Sequence, residues 1–594
     1  MKSYLSLKQV FRKIQNKDPR PSDLAPLVSR FREVDPVNLT GEAGAEAISN
    51  YSGKSGLANA RTQSGLTLYN GAWGKAQVTH LLRRTLFGIT KSELDIFINL
   101  SPGEAADRLL RTSPAPPPPL NYYNDPSEGV EDPHTPFGET WINAPYENEY
   151  EGRRIISLKS WLIGNILNQE TTIHEKLLLF WHNLLATQSW GIFIAKTSYQ
   201  YFELLRRNAF GNFKTMVKEI TLDPAMLVYL NGTRNKKEAP DENYARELQE
   251  LFCIGKGPNS GYTEGDVQAA ARVLTGWVIN WEEVNSEGPV NRKFLEERHD
   301  TSDKQFSEFY SNRLIEGKSG ADGAQEMEEL LDMIFENNET ALYLSRRLYQ
   351  FFVYSEIDAS TEQKVIAPMA EILRSNNYEI LPVLETLFKS EHFYDQLNYG
   401  ALIKNPLDHL LGLWRSLDVR SPDPGNPTLD FGIHRSMIWN MANKGLEIAD
   451  PPSVSGWPAY YQAPQFDKAW ITTDTISSRA STSDSLVYWG FWVNQDIQIP
   501  ADLLTYISSL DQPEDPTKLL NELSEILLGM ALGVDEIDEL KTVLLSGQIA
   551  DHYWTDAWND YINNPGNEEY KLIVETRVKS LFQRLLQRGE FQLM

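Results

Sequence analysis

The chain has 594 residues, a formal charge of −25 and a single cysteine, Cys253. So large a carboxylate excess argues against a nucleic-acid partner, which needs clustered Lys and Arg, and against docking on anionic lipid. One cysteine excludes an intramolecular disulfide. With 41% apolar and 23% charged residues the composition is that of a globular protein, long enough for several domain-sized units or one large helical fold.

Residues 1–70 read as a polar, weakly periodic extension. They contain no apolar run of signal-peptide length, so a cytoplasmic location is expected, with export by a non-standard or missing signal as the alternative. No stretch approaches the ~18 apolar residues that a membrane span requires.

From there helix dominates. "TKSE" at 90–93 and "SPGE" at 101–104 are capping boxes, and "TEGD" at 263–266 resembles one. Helical periodicity follows at 153–169, 172–186, 196–209, 240–254, 263–276, 324–336, 340–354, 361–375, 379–389, 405–417, 516–532 and 566–590. Two stretches break the pattern. A Pro-rich linker at 113–120 leads into an acidic, aromatic segment to 150, and a second irregular excursion runs over about 278–320. Period-two alternation is scarce. The expected fold is mainly α: a large multi-helix fold around a single core, with long irregular loops and few or no strands. Its helical domain spans 71–500, and a C-terminal helical segment, 501–594, packs on it.

In "HEKLLLFWHNLLAT" (174–187) the helix is apolar nearly all round except at His182 and Asn183, which marks it as central. A buried histidine needs partners for both ring nitrogens, so His182 is either a structural hydrogen-bonder or a ligand or base. Glu175 is read as closing a capping box with Thr172. The helix expected over 240–254, in "EAPDENYARELQELFCIG" (238–255), begins at Pro240 or Asp241. Tyr244, Leu248, Leu251 and Phe252 form its core stripe. Glu242, Arg246 and Glu250 lie nearly opposite at i, i+4, i+8, a spacing suited to two ion pairs around one Arg. Asn243 and Glu247 border the core stripe. Either this face is solvated, or a second layer covers it and Glu247 is desolvated. The preceding loop carries Arg234, Lys236 and Lys237 and reads as an anion site or a solvated turn.

His80 and Arg84 lie one turn apart in "VTHLLRRTLFG", beside Arg83. "DPPSVSGWPAYY" (450–461) is a stiff loop in which Trp457 either stacks on a substrate ring or plugs the core. HExxH, zinc-spaced Cys/His clusters, GxSxG, Walker and dinucleotide motifs are absent, so the sequence assigns no metal ligand and names no cofactor.

"HLLRRTLFG", "HEKLLLFWHNLLAT", "RRNAFGNFKTM", "LDPAMLVYLNG", "RNKKEAPDENYARELQELFCIG", "YTEGDVQAAARVLTGW", "IKNPLDHLLGLWRSL" and "DPPSVSGWP" occur in this order. Together they resemble the bacterial domain-of-unknown-function family numbered eighteen-hundred. The resemblance implies a frequently exported protein with no agreed activity. It also implies a possible partner from a neighbouring family that is similar to alkaline phosphatases and sulfatases. Its polar positions fall on His80, Arg83, Arg84, His182, Asn183, Asn235, Lys237, Glu242, Asn243, Arg246, Glu247, Thr275, Trp277, Pro451, Pro452, Gly456 and Trp457. One position departs from the family block: Leu184 stands where a second histidine is common. Two functions follow as expectations. In the first, a hydrolase-like enzyme acts on an envelope-related or anionic substrate. Glu247 is its acid or base, His182 the partner, and His80 and Arg246 are catalytic neighbours. Arg83, Arg84, Asn183, Asn235, Lys237, Glu242, Asn243 and Trp457 bind substrate. In the second, a non-catalytic envelope, assembly or glycan-binding protein works with that partner. The enzyme reading requires the 182 and 242–247 regions to converge.

Overall fold

Twelve helices position the groups discussed below: α1 (Lys75–Thr85), α2 (Glu151–Leu167), α3 (His174–Leu184), α4 (Ala195–Asn208), α5 (Pro224–Tyr229), α6 (Asn243–Glu247), α7 (Glu264–Val273), α8 (Pro406–Ser416), α9 (Pro427–Ala442), α10 (Thr473–Tyr488), α11 (Pro516–Leu527) and α12 (Glu568–Leu586). A computed structural model describes residues 61–594. Most of the expected 1–70 extension lies outside the described residues. Residues 61–70 dock on the helical body: Tyr69 N–H donates to the Lys389 carbonyl, and Leu68 bridges Ser390.

The fold is mainly α. Among the described residues the only sheets are three two-stranded antiparallel ones: β1 (Trp277–Ile279) with β2 (Arg292–Phe294), β3 (Lys304–Gln305) with β4 (Leu314–Ile315), and β5 (Phe491–Trp492) with β6 (Gln498–Ile499). The first two lie in the 278–320 excursion. One connected apolar core runs from Val78 to Phe591 and so includes both the central helices and the C-terminal ones. No helix among the described residues is long and apolar enough to cross a membrane.

The capping boxes at 90–93, 101–104 and 263–266 form as their spacing predicts. Thr172 and Glu175 do not form one. Helix α3 starts at His174, and Glu175 turns inward to receive both terminal nitrogens of Arg206, at 2.6 and 3.0 Å. Two buried charges that neutralise each other outweigh a terminal cap that Thr172 partly supplies itself. The segment 121–150 is irregular yet fixed, because buried Arg154 gathers Asp132, Glu151 and the Pro145 carbonyl. That satisfies polar groups which a buried loop otherwise leaves open.

The helix expected over 240–254 is shorter and mixed. Helix α6 begins at Asn243, three residues after Pro240, and passes into a π-helical turn over Leu248–Cys253. Gln249 anchors that turn. It is wholly buried, donates to the Ala245 carbonyl and accepts from the Tyr310 hydroxyl at 2.8 Å. The wider turn breaks the expected i, i+4, i+8 ladder. Arg246 pairs with Glu242 as the spacing predicts, but its second partner is Glu264 of α7, while Glu250 turns to Lys256.

Candidate active site

An ionisable residue sits in the apolar stripe of α2. Lys159 lies one turn from Ile155 and one turn from Ile163, and it is fully buried with them. A buried ammonium needs anions, and the stretch between α9 and the 450–461 loop supplies two. Lys159 Nζ contacts Glu447 and, at 2.7 Å, Asp450. It also lies 4.9 Å from the ring centroid of Trp190. Trp190 in turn donates its indole N–H to Glu447 at 2.8 Å and its backbone N–H to Asp450 at 2.9 Å. The Ser189 hydroxyl completes the Asp450 shell. Ala449, just before Asp450, is held at φ 65°, a left-handed conformation that a non-glycine residue adopts only under constraint.

Electrostatics separates the two carboxyls. Burial raises Glu447, but Lys159 outweighs it and Glu447 stays below its ordinary value. Asp450 keeps only 8% of its side-chain exposure, and burial, with the Glu447 charge beside it, pushes it up to about 6 despite Lys159. A third carboxyl belongs to the same neighbourhood. Burial, reinforced by the Glu250 charge, pushes Glu247 up to about 7 against Lys256 and Arg246. Its Oε2 is buried with no hydrogen-bond partner among the described residues. Tyr229, at the end of α5, links the two halves: burial raises its phenol first, and then the charges of Asp450 and Glu247 do so. Trp190, Tyr229 and Glu247 are half-buried rather than sealed, and the Glu447 side chain keeps 29% of its exposure. The group therefore borders solvent.

His182 stands behind this group. Its Nδ1 lies 3.0 Å from the Tyr201 hydroxyl, which donates its only proton to the Leu185 carbonyl at 2.7 Å. Tyr201 must then accept from His182 Nδ1–H, and this fixes the tautomer with a bare Nε2. That Nε2 is buried without a partner. Burial, with the Lys159 charge as a second cause, lowers His182 to about 3. It is a neutral imidazole. No hydrogen bond or ion pair joins it to Glu247; the two are related through Lys159, Asp450 and Tyr229.

The remaining expected site residues divide by location. Asn183 Oδ1 accepts the backbone N–H of Trp457 at 2.9 Å, and Trp457 is wholly buried with its ring 5.5 Å from that of His182. Trp457 plugs the core, so the expectation that it stacks on a substrate is corrected: no face is open. Gln188 donates to the Pro451 carbonyl at 2.7 Å. The 450–461 loop is thus pinned at Asp450, Pro451 and Trp457 onto α3 and the turn that follows it. Gly456 is required there, because at φ 84° a Cβ would lie 2.3 Å from Asn183 Oδ1 and 2.4 Å from its carbonyl oxygen. Gly456→Ala is expected to cost about 2–4 kcal/mol, seen as a lower thermal midpoint with the secondary structure retained.

Asn235 is buried, donating to the Ala271 carbonyl and accepting the Asp241 N–H, and so it shapes the loop before α6. Lys237 is exposed, and Arg246, Glu242 and Glu264 form a surface ion group. Asn243 is exposed at the start of α6. The α1 residues make their contacts elsewhere. His80 Nε2 lies 2.9 Å from the Phe393 carbonyl and its ring stacks on Tyr399 at 4.3 Å. Arg84 donates to the Asn398 carbonyl, and Arg83 caps the C-terminal carbonyls of α11. Burial, with the Arg84 charge beside it, lowers His80 far below its ordinary value. Among the described residues no hydrogen bond, ion pair or ring contact carries these groups to Glu247, so the expectation of one cleft uniting His80, Arg83 and Arg84 with it is corrected. Leu184, at the family's second histidine position, is a core residue.

Sequence reasoning missed Lys159, Trp190, Tyr229, Glu447 and Asp450. Lys159 carried a readable signal, a lone cation inside an apolar stripe, and Asp450 opens the quoted proline loop. Among the described residues no three His, Cys, Asp or Glu side chains gather as a metal site would require.

Fold and site together define a large helical protein with a buried lysine–dicarboxylate group opening toward a half-exposed tyrosine and glutamate. The DUF1800 family profile, described as a protein of unknown function, matches residues 80–593. The chain belongs to that family. No curated protein and no solved structure matches it.

Proposed function

We propose that this protein is a hydrolase-like enzyme acting on an anionic, envelope-related substrate, with Glu247 and Asp450 as its acid–base groups. One arrangement carries the reading: Glu247 and Asp450, carboxyls that burial raises to about 7 and about 6, both lie in electrostatic reach of the Tyr229 phenol. Carboxyls with separated, near-neutral pKa values can divide proton transfer between them. Asp450, mostly ionised at pH 7, takes a proton from the attacking water. Glu247, about half protonated there, delivers one to the leaving group. Tyr229 orients the substrate between them. Lys159 is a positioning residue that fixes Asp450 and, through Glu447, Trp190. The exposed Arg234, Lys236 and Lys237, on the loop leading to α6, favour an anionic substrate.

The test is a panel of ester, phosphate, sulfate and glycoside substrates against the native protein and Asp450→Asn. Turnover in the native protein that Asp450→Asn removes supports the assignment. Equal turnover in both excludes Asp450 from the chemistry.

A second reading rests on exposed tryptophans. Trp439, Trp489 and Trp492 keep 41%, 64% and 53% of their surface, and exposed indoles suit glycan stacking. In that reading the protein is a non-catalytic assembly or glycan-binding module, working with a partner from the phosphatase- and sulfatase-like neighbouring family. Glycan binding that Trp489→Ala abolishes, together with an inactive substrate panel, favours it over catalysis.

A further inference from the structure

A second polar centre lies away from the carboxyl group, between α1, α3, α8, α10 and the C-terminal end of α11. Its charges do not balance. Arg83, Lys176, Lys404 and Arg479 are all buried there, against two carboxylates, Asp408 and, on the Ile403 N–H, Asp467. Asp408 is already engaged: Lys176 holds one oxygen and the Asn405 side chain donates to the other at 2.6 Å. Arg83 is spent on backbone carbonyls at the end of α11, and Arg479 reaches only the Lys404 carbonyl at 2.8 Å and the Gln592 side chain at 3.2 Å. The Lys404 amine lies 4.0 Å from the Phe591 ring centroid and donates to no protein acceptor among the described residues. Next to it, both ring nitrogens of His409 are buried and unpartnered among the described residues.

Lys404, Arg83 and Asp408 line a small cavity of about 20 Å³, closed on its apolar side by Ile526 and Phe591. That is room for the centre of one small ion or water. Buried cations without counter-charges are costly, and a compact anion among them removes the cost. Lys404 and the Phe591 ring it approaches line the same cavity, with Arg83.

We propose that this cavity is a binding site for a single halide-sized monovalent anion, chloride being the natural occupant, held by the Lys404 ammonium with the Arg83 charge beside it. The site is independent of the proposed chemistry at Glu247. It ties α1, the 402–404 bridge to the C-terminal segment, and the end of α11 to one counter-ion. Deprotonation of Lys404 over a cavity water relieves only one of the excess charges and leaves Arg83 and Arg479 without a carboxylate in contact among the described residues.

The test is thermal unfolding of the full chain in sodium chloride, bromide, sulfate or gluconate at matched ionic strength, for the native protein, Lys404→Met and the exposed control Lys571→Met. The proposal expects a saturable rise of the midpoint with chloride and bromide, following mass action, and with sulfate only the non-saturating rise of an excluded salt. It expects the saturable rise to be lost in Lys404→Met and kept in Lys571→Met. Equal midpoints in chloride and gluconate overturn it, as does a halide shift that survives Lys404→Met. If Lys404→Met does not fold, bromide-soaked crystals of the native protein decide: an anomalous peak beside Lys404 supports the site, and a water there in its place overturns it.

Discussion

Glu247→Gln is expected to lower turnover by about 10²–10⁴-fold while leaving the helical fold intact. The amide keeps the shape of the half-buried side chain and removes its proton. The pH profile is the sharper measurement. If Glu247 donates and Asp450 accepts, the rate rises as pH passes about 6 and falls as it passes about 7. Glu247→Gln removes the alkaline limb and leaves the acid limb. Stability carries a matching sign. The folded state holds the Glu247 proton to higher pH than the unfolded chain does. Its favourable contribution is therefore complete below the ordinary glutamate pKa and is lost as pH rises through about 7. Above that pH the glutamine variant is expected to unfold at or above the native midpoint. A variant that retains native turnover across the range removes Glu247 from the mechanism.

Lys159→Met is expected to be the most destabilising single change at the site, by about 3–5 kcal/mol at pH 8, because it strands Glu447 and Asp450 in the core without their cation. The penalty depends on pH. With the ammonium gone, both carboxyls bind protons more tightly when folded than unfolded, so the variant loses stability as pH rises and regains it as pH falls. Thermal unfolding of native protein and variant at pH 5 and pH 8 measures this, and the gap is expected to narrow on the acid side. A pH-independent gap would assign the loss to packing around the Lys159 stem rather than to charge.

Where sequence reading succeeds and fails on this chain has physical causes. The long amphipathic helices were legible because one apolar stripe points to one core, as in α2 and α12, and α3 because it is apolar nearly all round. Helices α9 and α10 were not: α9 places His434, Arg435 and Asn440 among its apolar residues, and α10 is rich in Ser and Thr, which favour caps over helix interiors. The π-turn after α6 was invisible because its cause, the bond from Tyr310 to Gln249, comes from 61 residues away. The site divides the same way. Glu247 was legible as a carboxylate at the edge of a core stripe. Its companions were not, because Lys159 and Glu447 stand 288 residues apart and neither belongs to a spaced motif. His182 was singled out correctly as buried, but its partner is a neighbouring tyrosine, which periodicity cannot reveal.

The widened turn over Leu248–Cys253 makes that stretch intolerant of length changes in a way ordinary substitution does not probe. Deleting one residue there would restore the tighter spiral and swing everything downstream by about 100°. Gln249 would lose its hold on Tyr310, and Gly255, at φ 84° against the Tyr343 ring, would be carried out of its slot. Orthologous chains should therefore vary in side chain along this segment far more freely than in residue count.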